Sequence, residues 1–432
     1  MKRAIIYSSF LLLSLVGRAQ ENVYPAKENK GVTYITNATI HVGNGTVINN
    51  GTVKINNGKI EQVGANVTAG TDGKTINAAG KHVYPGLILS NSNLGLVEVN
   101  SVRATSDERE VGDLNPNVRS VIAYNTDSKV IGTLRSNGIL FANVVPEGGL
   151  ITGASSVVQL DAWNWEDAIY KDGNAIHFNM PSMINRPNRF AEVLGQQPQV
   201  DPVKRALEQV DKIKAFFAEA KGSYEGSNYS STNLKQGAVK GLFNKSQKLF
   251  IHCNIVKEML VAIDISKAYN MDVVIVGGSE SYLVADLLRQ NNIPVILNQM
   301  HSLPTSPDDD VDQPYKTPAA LQKAGVLFAI NDEDGQTRGR NLSFNAGTAV
   351  AYGLSKEQAL SAITLNAAKI LGIADKTGSI EVGKDANVII ADGDILDMRS
   401  SNVTAAFIQG REINLTDKHK QLYERYKYKY GL

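Results

Sequence analysis

The stretch "PGLILSNSNLGL", residues 85–96, is a short apolar run that ends in a polar pair. It reads as a buried strand running into a glycine-punctuated turn, with Asn91 and Asn93 placed two apart where the strand ends. Side chains two apart on a strand point to one side. Both amides therefore aim at whatever lies beyond that strand's C-terminal end.

On the N-terminal side of this stretch, residues 31–86 read as all-β. "YITNATIHVGNGTVINNGTVKINNGKIEQVG" alternates apolar and polar residues, and the pairs Asn44-Gly45, Asn50-Gly51 and Asn57-Gly58 interrupt the alternation as hairpin turns. On the C-terminal side the character changes. From about residue 240 strands and helices alternate: "KLFIHC" (248–253), "DVVIVGG" (272–278), "PVILN" (294–298) and "VLFAIN" (326–331), with "IVKEMLVAIDISKAYN" and "SYLVADLLRQNN" after the first two. Before the last strand, Thr317-Pro318 is expected to start a helix as N-cap and first-turn proline. Apolar strands separated by helices imply a parallel sheet covered on both faces. Four in a row, with room for four more upstream, favour a TIM-like (β/α)8 barrel.

"DPVKRALEQVDKIKAFFAEA" (201–220) is an amphipathic helix with Val203, Leu207, Val210, Ile213, Phe217 and Ala220 on one face, and "GSYEGSNYSSTN" (222–233) is a loop by composition. Ser355 and Gln358 form a capping box for the helix "KEQALSAITLNAAKILG". After it the sequence returns to β alternation. Residues 21–86 and 376–415 are therefore expected to close into one composite β-sandwich domain, with the barrel, 87–375, inserted between its halves. The tail 416–432 is basic and tyrosine-rich.

The 432 residues are 43% hydrophobic and 20% charged, an ordinary globular balance. Net charge is +1, and about −2 once Lys2, Arg3 and Arg18 are set aside, which gives no overall electrostatic reason to expect nucleic acid or an anionic membrane as partner. "MKRAIIYSSFLLLSLVGRAQ" (1–20) has the basic start, short apolar run and small residues of a secretory signal peptide. The mature chain is expected to be exported, periplasmic or secreted, without a transmembrane span. Its one cysteine, Cys253, leaves no internal disulfide.

"GKHVYPGLILSNSNLGL" resembles the first barrel strand of the amidohydrolase superfamily, especially its imidazolonepropionase-like members, where the run is similar to G-K-x-V-x-P-G-L-I-D-x-H-x-H-x-G. "GSIEVGKDANVIIADGD" (378–394) resembles that family's closing signature, and "GLSKEQALSAITLNAAKILGI" (353–373) is similar to its penultimate helix. The resemblance implies an α/β fold, a TIM-like barrel with a composite β-sandwich. It implies one or two divalent metals, zinc above all, at the C-terminal strand ends. There the metal would activate a water held by imidazoles, and a last-strand carboxylate would take its proton.

Carried over position by position, the family's His-x-His falls on Asn91-Ser92-Asn93, with Leu89 where the acid before it would stand. The strand-five histidine falls on His252 and the strand-six histidine on Gly277. The last-strand aspartate falls on Glu333, with Asp332 and Asp334 adjacent should the register slip. The expected catalytic pair is thus Glu333 and His252, and the metal positions are His252, Glu333, Asn91 and Asn93. An asparagine oxygen is neutral, tolerable for Ca²⁺ or Mg²⁺ and poor for zinc. Asn91, Asn93, Glu98, Arg103 and His301 are expected to line the substrate pocket, because loops after barrel strands face the mouth. The expectation is an exported protein resembling hydrolases of C–N bonds, its metal site largely lost. The alternative is a catalytically inactive binding or partner subunit on the same fold. The expected partners are a small-molecule or peptide-like ligand and a homo-oligomer or a related amidohydrolase, with no nucleic acid.

Overall fold

The computed structural model describes residues 23–184, 201–226, 233–298, 300–305, 308–332 and 337–432. The expected leader, residues 1–20, and Glu333 and Asp334 lie outside the described residues, as does 227–232 of the expected loop. Two eight-stranded sheets organise the rest.

The first sheet begins with β1 (Val32–His41), β2 (Val47–Asn56), β3 (Lys59–Gly64), β4 (Gly73–Asn77) and β5 (His82–Pro85). Asn57 and Gly58, both at positive φ, make the two-residue β2–β3 hairpin that the sequence predicts. Asn50-Gly51 does otherwise. It lies inside β2, where Asn50 takes a φ of +50° and the β1–β2 register shifts near Ala38 and Gly51. The pair supplies a bulge, not a turn, and glycine is required in it, since a Cβ on Gly51 would meet the Ile40 side chain at 2.6 Å.

The second sheet runs in chain order through β6 (Leu87–Ser92), β7 (Ile139–Val144), β8 (Ile151–Gln159), β9 (Ile169–Asn179), β10 (Lys248–Cys253), β11 (Val273–Gly277), β12 (Val295–Leu297) and β13 (Phe328–Ile330). This is a nearly closed barrel. Its last four strands sit where the apolar runs predict them. One strand departs from the all-parallel expectation: β8 is antiparallel to both β7 and β9. The six residues between β7 and β8 leave no room for a crossover helix, so the chain must turn back as a hairpin. The seam between β13 and β6 is bridged by a side chain. Asn331, fully buried just past β13, accepts from the backbone N–H of Ser90 (2.8 Å) and Asn91 (3.1 Å) and donates to the Asn91 carbonyl (2.8 Å). Those strand-end groups are where the β6–β7 register skips, so one amide satisfies what the ladder leaves open.

The chain then returns to the first sheet with β14 (Val388–Asp392), β15 (Asn402–Ile408) and β16 (Arg411–Glu412), β14 pairing with β5. Ile35, Ile40, Val53, Ile55, Val83, Ile380, Val388 and Phe407 fill this sandwich-like unit, while Phe141, Phe178, Phe250 and Phe328 are among the fully buried residues of the barrel core.

Helices follow their sequence signals with two informative differences. Asp201 caps a helix over Pro202–Glu225 through its bond from the Val203 N–H (2.9 Å), though Leu207, expected on the buried face, is exposed. The helix expected to start at Thr317-Pro318 starts at Gln313, and Thr317 bonds back to the Gln313 carbonyl. Pro314 in the first turn is the starting proline, and Pro318 is carried inside. The capping box at Ser355 and Gln358 is present, but the helix breaks into Lys356–Ala362 and Leu365–Leu371. The break turns the Ile363 carbonyl to the Ile88 N–H (3.1 Å), which ties β6 in place.

Candidate ligand-binding site at the barrel mouth

A cavity of about 240 Å³ opens at the C-terminal ends of the barrel strands, lined by Asn91, Ser92, Asn93, Val145, Pro146, Glu147, Gly148, Asn179 and His252. Asn91 to Asn93 lie at and just past the end of β6, Val145 to Gly148 follow β7, Asn179 ends β9 and His252 sits on β10. A parallel strand stops here and its next residues must turn outward, so side chains from several strands converge without any helix between them. The amide of Asn93 donates to Glu147 Oε1 (3.2 Å). Burial, and then the nearby Glu108 carboxylate, push the Glu147 carboxyl above its ordinary range, while Arg109 and Asn93 pull it back.

Behind the cavity wall runs a chain of buried hydrogen bonds. His252 Nε2 meets His177 Nδ1 at 2.8 Å, His177 Nε2 meets Ser155 Oγ at 2.8 Å, and Ser155 Oγ donates to Asn174 Oδ1 at 3.1 Å. With the Asn174 amide oriented so that its oxygen faces Ser155, Ser155 donates to it and accepts from His177 Nε2–H. In that orientation the bare Nδ1 of His177 accepts from His252 Nε2–H, and Nδ1 is the unprotonated nitrogen of His252. Both rings are held neutral. Burial lowers His252 to about 4, and burial followed by the neighbouring His252 ring lowers His177 well below its ordinary value.

The structure brings Asn91, Asn93 and His252 together, as carried over from the resemblance. It leaves three other sequence candidates away from the cavity lining. Glu98 accepts from Asn125 Nδ2 (3.1 Å) and Ser128 Oγ (3.1 Å), which pins its loop to the start of the next segment. Arg103 donates locally to the Ser106 carbonyl (3.0 Å) in an exposed turn. His301 meets Thr348 Oγ1 (2.9 Å) and packs edge-on against Tyr315. Asp332 accepts from Asn345 Nδ2 (3.1 Å). Sequence reasoning missed Glu147, Asn179 and His177. The last two alternate along "NAIHFN", beside "KLFIHC" in the sheet, and recognising that segment as the neighbouring strand would have found them.

These residues do not fit a zinc ion. Nε2 of His252 is committed to His177, which leaves Nδ1 as its single open donor atom for a metal, the two asparagine amides are neutral, and among the described residues no three His, Cys, Asp or Glu side chains converge. At Gly277 the backbone itself resists a ligand. Its φ is +102°, and a Cβ there would stand 2.5 Å from Asn254 Oδ1 and 3.0 Å from the Cys253 carbonyl oxygen. Gly277→His is expected to lower the unfolding free energy by roughly 1–3 kcal/mol from backbone strain alone. Urea unfolding of the variant checks this, and a variant as stable as the parent would refute the strain.

The family model described as "Amidohydrolase family" matches residues 252–413. A solved amidohydrolase from Thermotoga maritima MSB8 superposes with a TM-score of 0.76 at 27% identity, covering 88% of this chain and 99% of that one. Over residues 252–413 the chain resembles the amidohydrolase family, and its fold is similar to that amidohydrolase's across most of its length. Its imidazolonepropionase-like character comes from shorter matches. Imidazolonepropionase from Thermoplasma volcanium is 38% identical over 86 residues, 19% of this chain, and that from Flavobacterium johnsoniae is 35% identical over 80 residues, 18% of this chain. The match spans 21% and 20% of those relatives' own lengths, about a fifth of each. Amidohydrolases are generally metal-dependent.

Proposed function

We propose that this amidohydrolase-like protein uses its barrel mouth to bind a small amide-bearing or peptide-like ligand, as a non-catalytic binding member of the fold. The observation that carries this reading is the 2.8 Å bond from His252 Nε2 to His177, which turns the retained imidazole toward the barrel wall. Asn91, Asn93 and Asn179 offer amide groups that both donate and accept, and Glu147 adds a carboxyl group. Such a lining suits a neutral ligand with paired N–H and C=O groups. Hydrolysis of C–N bonds, in the manner of the family, is the second reading. It is favoured by the unprotonated Nδ1 of His252, yet a ring titrating at about 4 is a weak general base at neutral pH. Export, through residues 1–20, belongs to the same proposal.

The test is the metal content and turnover of protein purified from the exported fraction, whose mass also reports removal of the leader. The expected result is well under one Zn, Mn or Fe per chain, no hydrolysis of a panel of N-acyl dipeptides and cyclic amides, and a thermal shift with some of them that Asn93→Ala abolishes. One tightly held metal per chain together with turnover would overturn the binding reading in favour of the hydrolase. The double variant Asn91→His and Asn93→His is expected to stay metal-poor, since Gly277 and the committed His252 remain.

A further inference from the structure

The near-neutral charge of the whole chain conceals a concentrated cationic element at its end. The helix Lys418–Tyr430 carries Lys418, Lys420, Arg425, Lys427 and Lys429 against the single acid Glu424. None of its residues is buried. Its root is firm: Asp417 caps it through the Lys420 N–H (2.8 Å) and receives the Ser136 hydroxyl (2.5 Å). Only Gln421 and Leu422 lean on the body. Beyond them the helix is exposed, with Tyr423, Tyr426 and Tyr430 at 64%, 51% and 65% of full exposure.

The spacing of these residues is ordered. At about 100° per residue, three of the four tyrosines, Tyr423, Tyr426 and Tyr430, fall within one stripe roughly 60° wide, and Tyr428, 90% exposed, lies on the opposite face. Lys420 and Lys427 follow one border of the stripe, Lys418 and Lys429 the other, and Glu424 lies on the far side. Lys427 reaches over the Tyr423 ring at 5.9 Å, and Lys429 over Tyr426 and Tyr430 at 5.9 and 5.2 Å. A row of rings with apolar bodies and polar tips, bordered on both sides by long cations, matches a flat anionic interface. Rings would settle among headgroups while the lysines reach phosphates on either side. No described helix is long and apolar enough to cross a membrane, so contact at this helix would be shallow and electrostatic.

We propose that the helix Lys418–Tyr430 docks the protein on an anionic phospholipid surface. An RNA or an acidic protein fits less well, because three of the four rings gather in one stripe with the lysines along its borders.

The experiment is co-sedimentation of the full chain with phosphatidylcholine vesicles, with and without phosphatidylglycerol. Binding is expected only when phosphatidylglycerol is present. It should fall by on the order of a hundredfold when Lys420, Lys427 and Lys429 are all changed to glutamine, at about fivefold per cation. It should be lost at about 0.5 M salt. Changing Tyr423, Tyr426 and Tyr430 to serine should weaken it at low salt, and both variants should melt with the parent because the helix buries nothing. The proposal is overturned by equal binding to pure phosphatidylcholine, by no binding to either vesicle, by full binding of the glutamine variant, or by tighter lysine-dependent binding to single-stranded RNA than to vesicles.

Discussion

Replacing Asp161 with alanine is expected to destabilise the chain by about 3–5 kcal/mol. The Asp161 side chain is wholly buried between two arginines from different parts of the molecule. Oδ1 accepts from Arg135 Nη1 (2.7 Å), on the helix Lys129–Arg135. Oδ2 accepts from Arg411 Nη1 (3.0 Å), on β16 of the sandwich, and from the Ala26 N–H (2.9 Å). Arg411 spends its remaining donors on the Ala26 carbonyl, Gln159 Oε1 and the Asp161 carbonyl. One carboxylate thus bridges two guanidiniums and joins barrel to sandwich. Its removal leaves two nearly dry cations without a counter-charge, and that penalty, rather than the worth of the pair, sets the magnitude. Asp161→Asn keeps the shape and loses the charge, so it should fall short of the alanine variant. Urea unfolding measures both. The exposed pair Lys30–Glu28 is the control, and Glu28→Ala there should cost less than about 1 kcal/mol. A loss below about 1 kcal/mol for Asp161→Ala would mean that the arginines find water, contrary to their burial.

The same triad shows what a linear reading misses. Arg135, Asp161 and Arg411 are remote in sequence and none sits in a motif. Local signals carried further. Apolar runs between helical segments located β10 to β13, because a strand covered on both faces leaves its whole length apolar. The direction of β8 escaped because it depends on the length of a loop, not on the strand's own residues. Asn91, Asn93 and His252 share one cavity because they stand at strand ends, where the fold determines which way a side chain faces. Glu98, Arg103 and His301 lie in loops, away from the lining of that cavity. A loop residue one turn past a strand end can be captured by any nearby donor, as Asn125 and Ser128 capture Glu98. The segment that carries His177 is not placed by its own residues, and its pairing with His252 follows only from the order of strands in the sheet.

That pair carries the last expected result: acid should unfold the protein partly through His177 and His252. Both rings are neutral in the folded state, His252 lowered to about 4 and His177 well below its ordinary value, whereas an unfolded histidine titrates near 6.5. A group whose folded pKa is depressed binds its proton more readily in the unfolded chain. The stability it contributes is complete above about pH 6.5 and drains away as pH falls toward 4. For His252 the full span corresponds to about 3 kcal/mol at most, reduced by the part of the ring open to the cavity. Glu147 works against this. Its folded pKa is raised, so its protonated form favours the folded chain at low pH. The informative quantity is therefore a difference: the loss of unfolding free energy between about pH 7 and pH 4.5 in the parent, minus the same loss in the double variant His177→Gln and His252→Gln. The parent should lose more, by about 2 kcal/mol. Parallel losses would show that the rings are not held neutral. The direction of the His252 Nε2 proton would then be open, and with it the reason for separating this mouth from a metal centre.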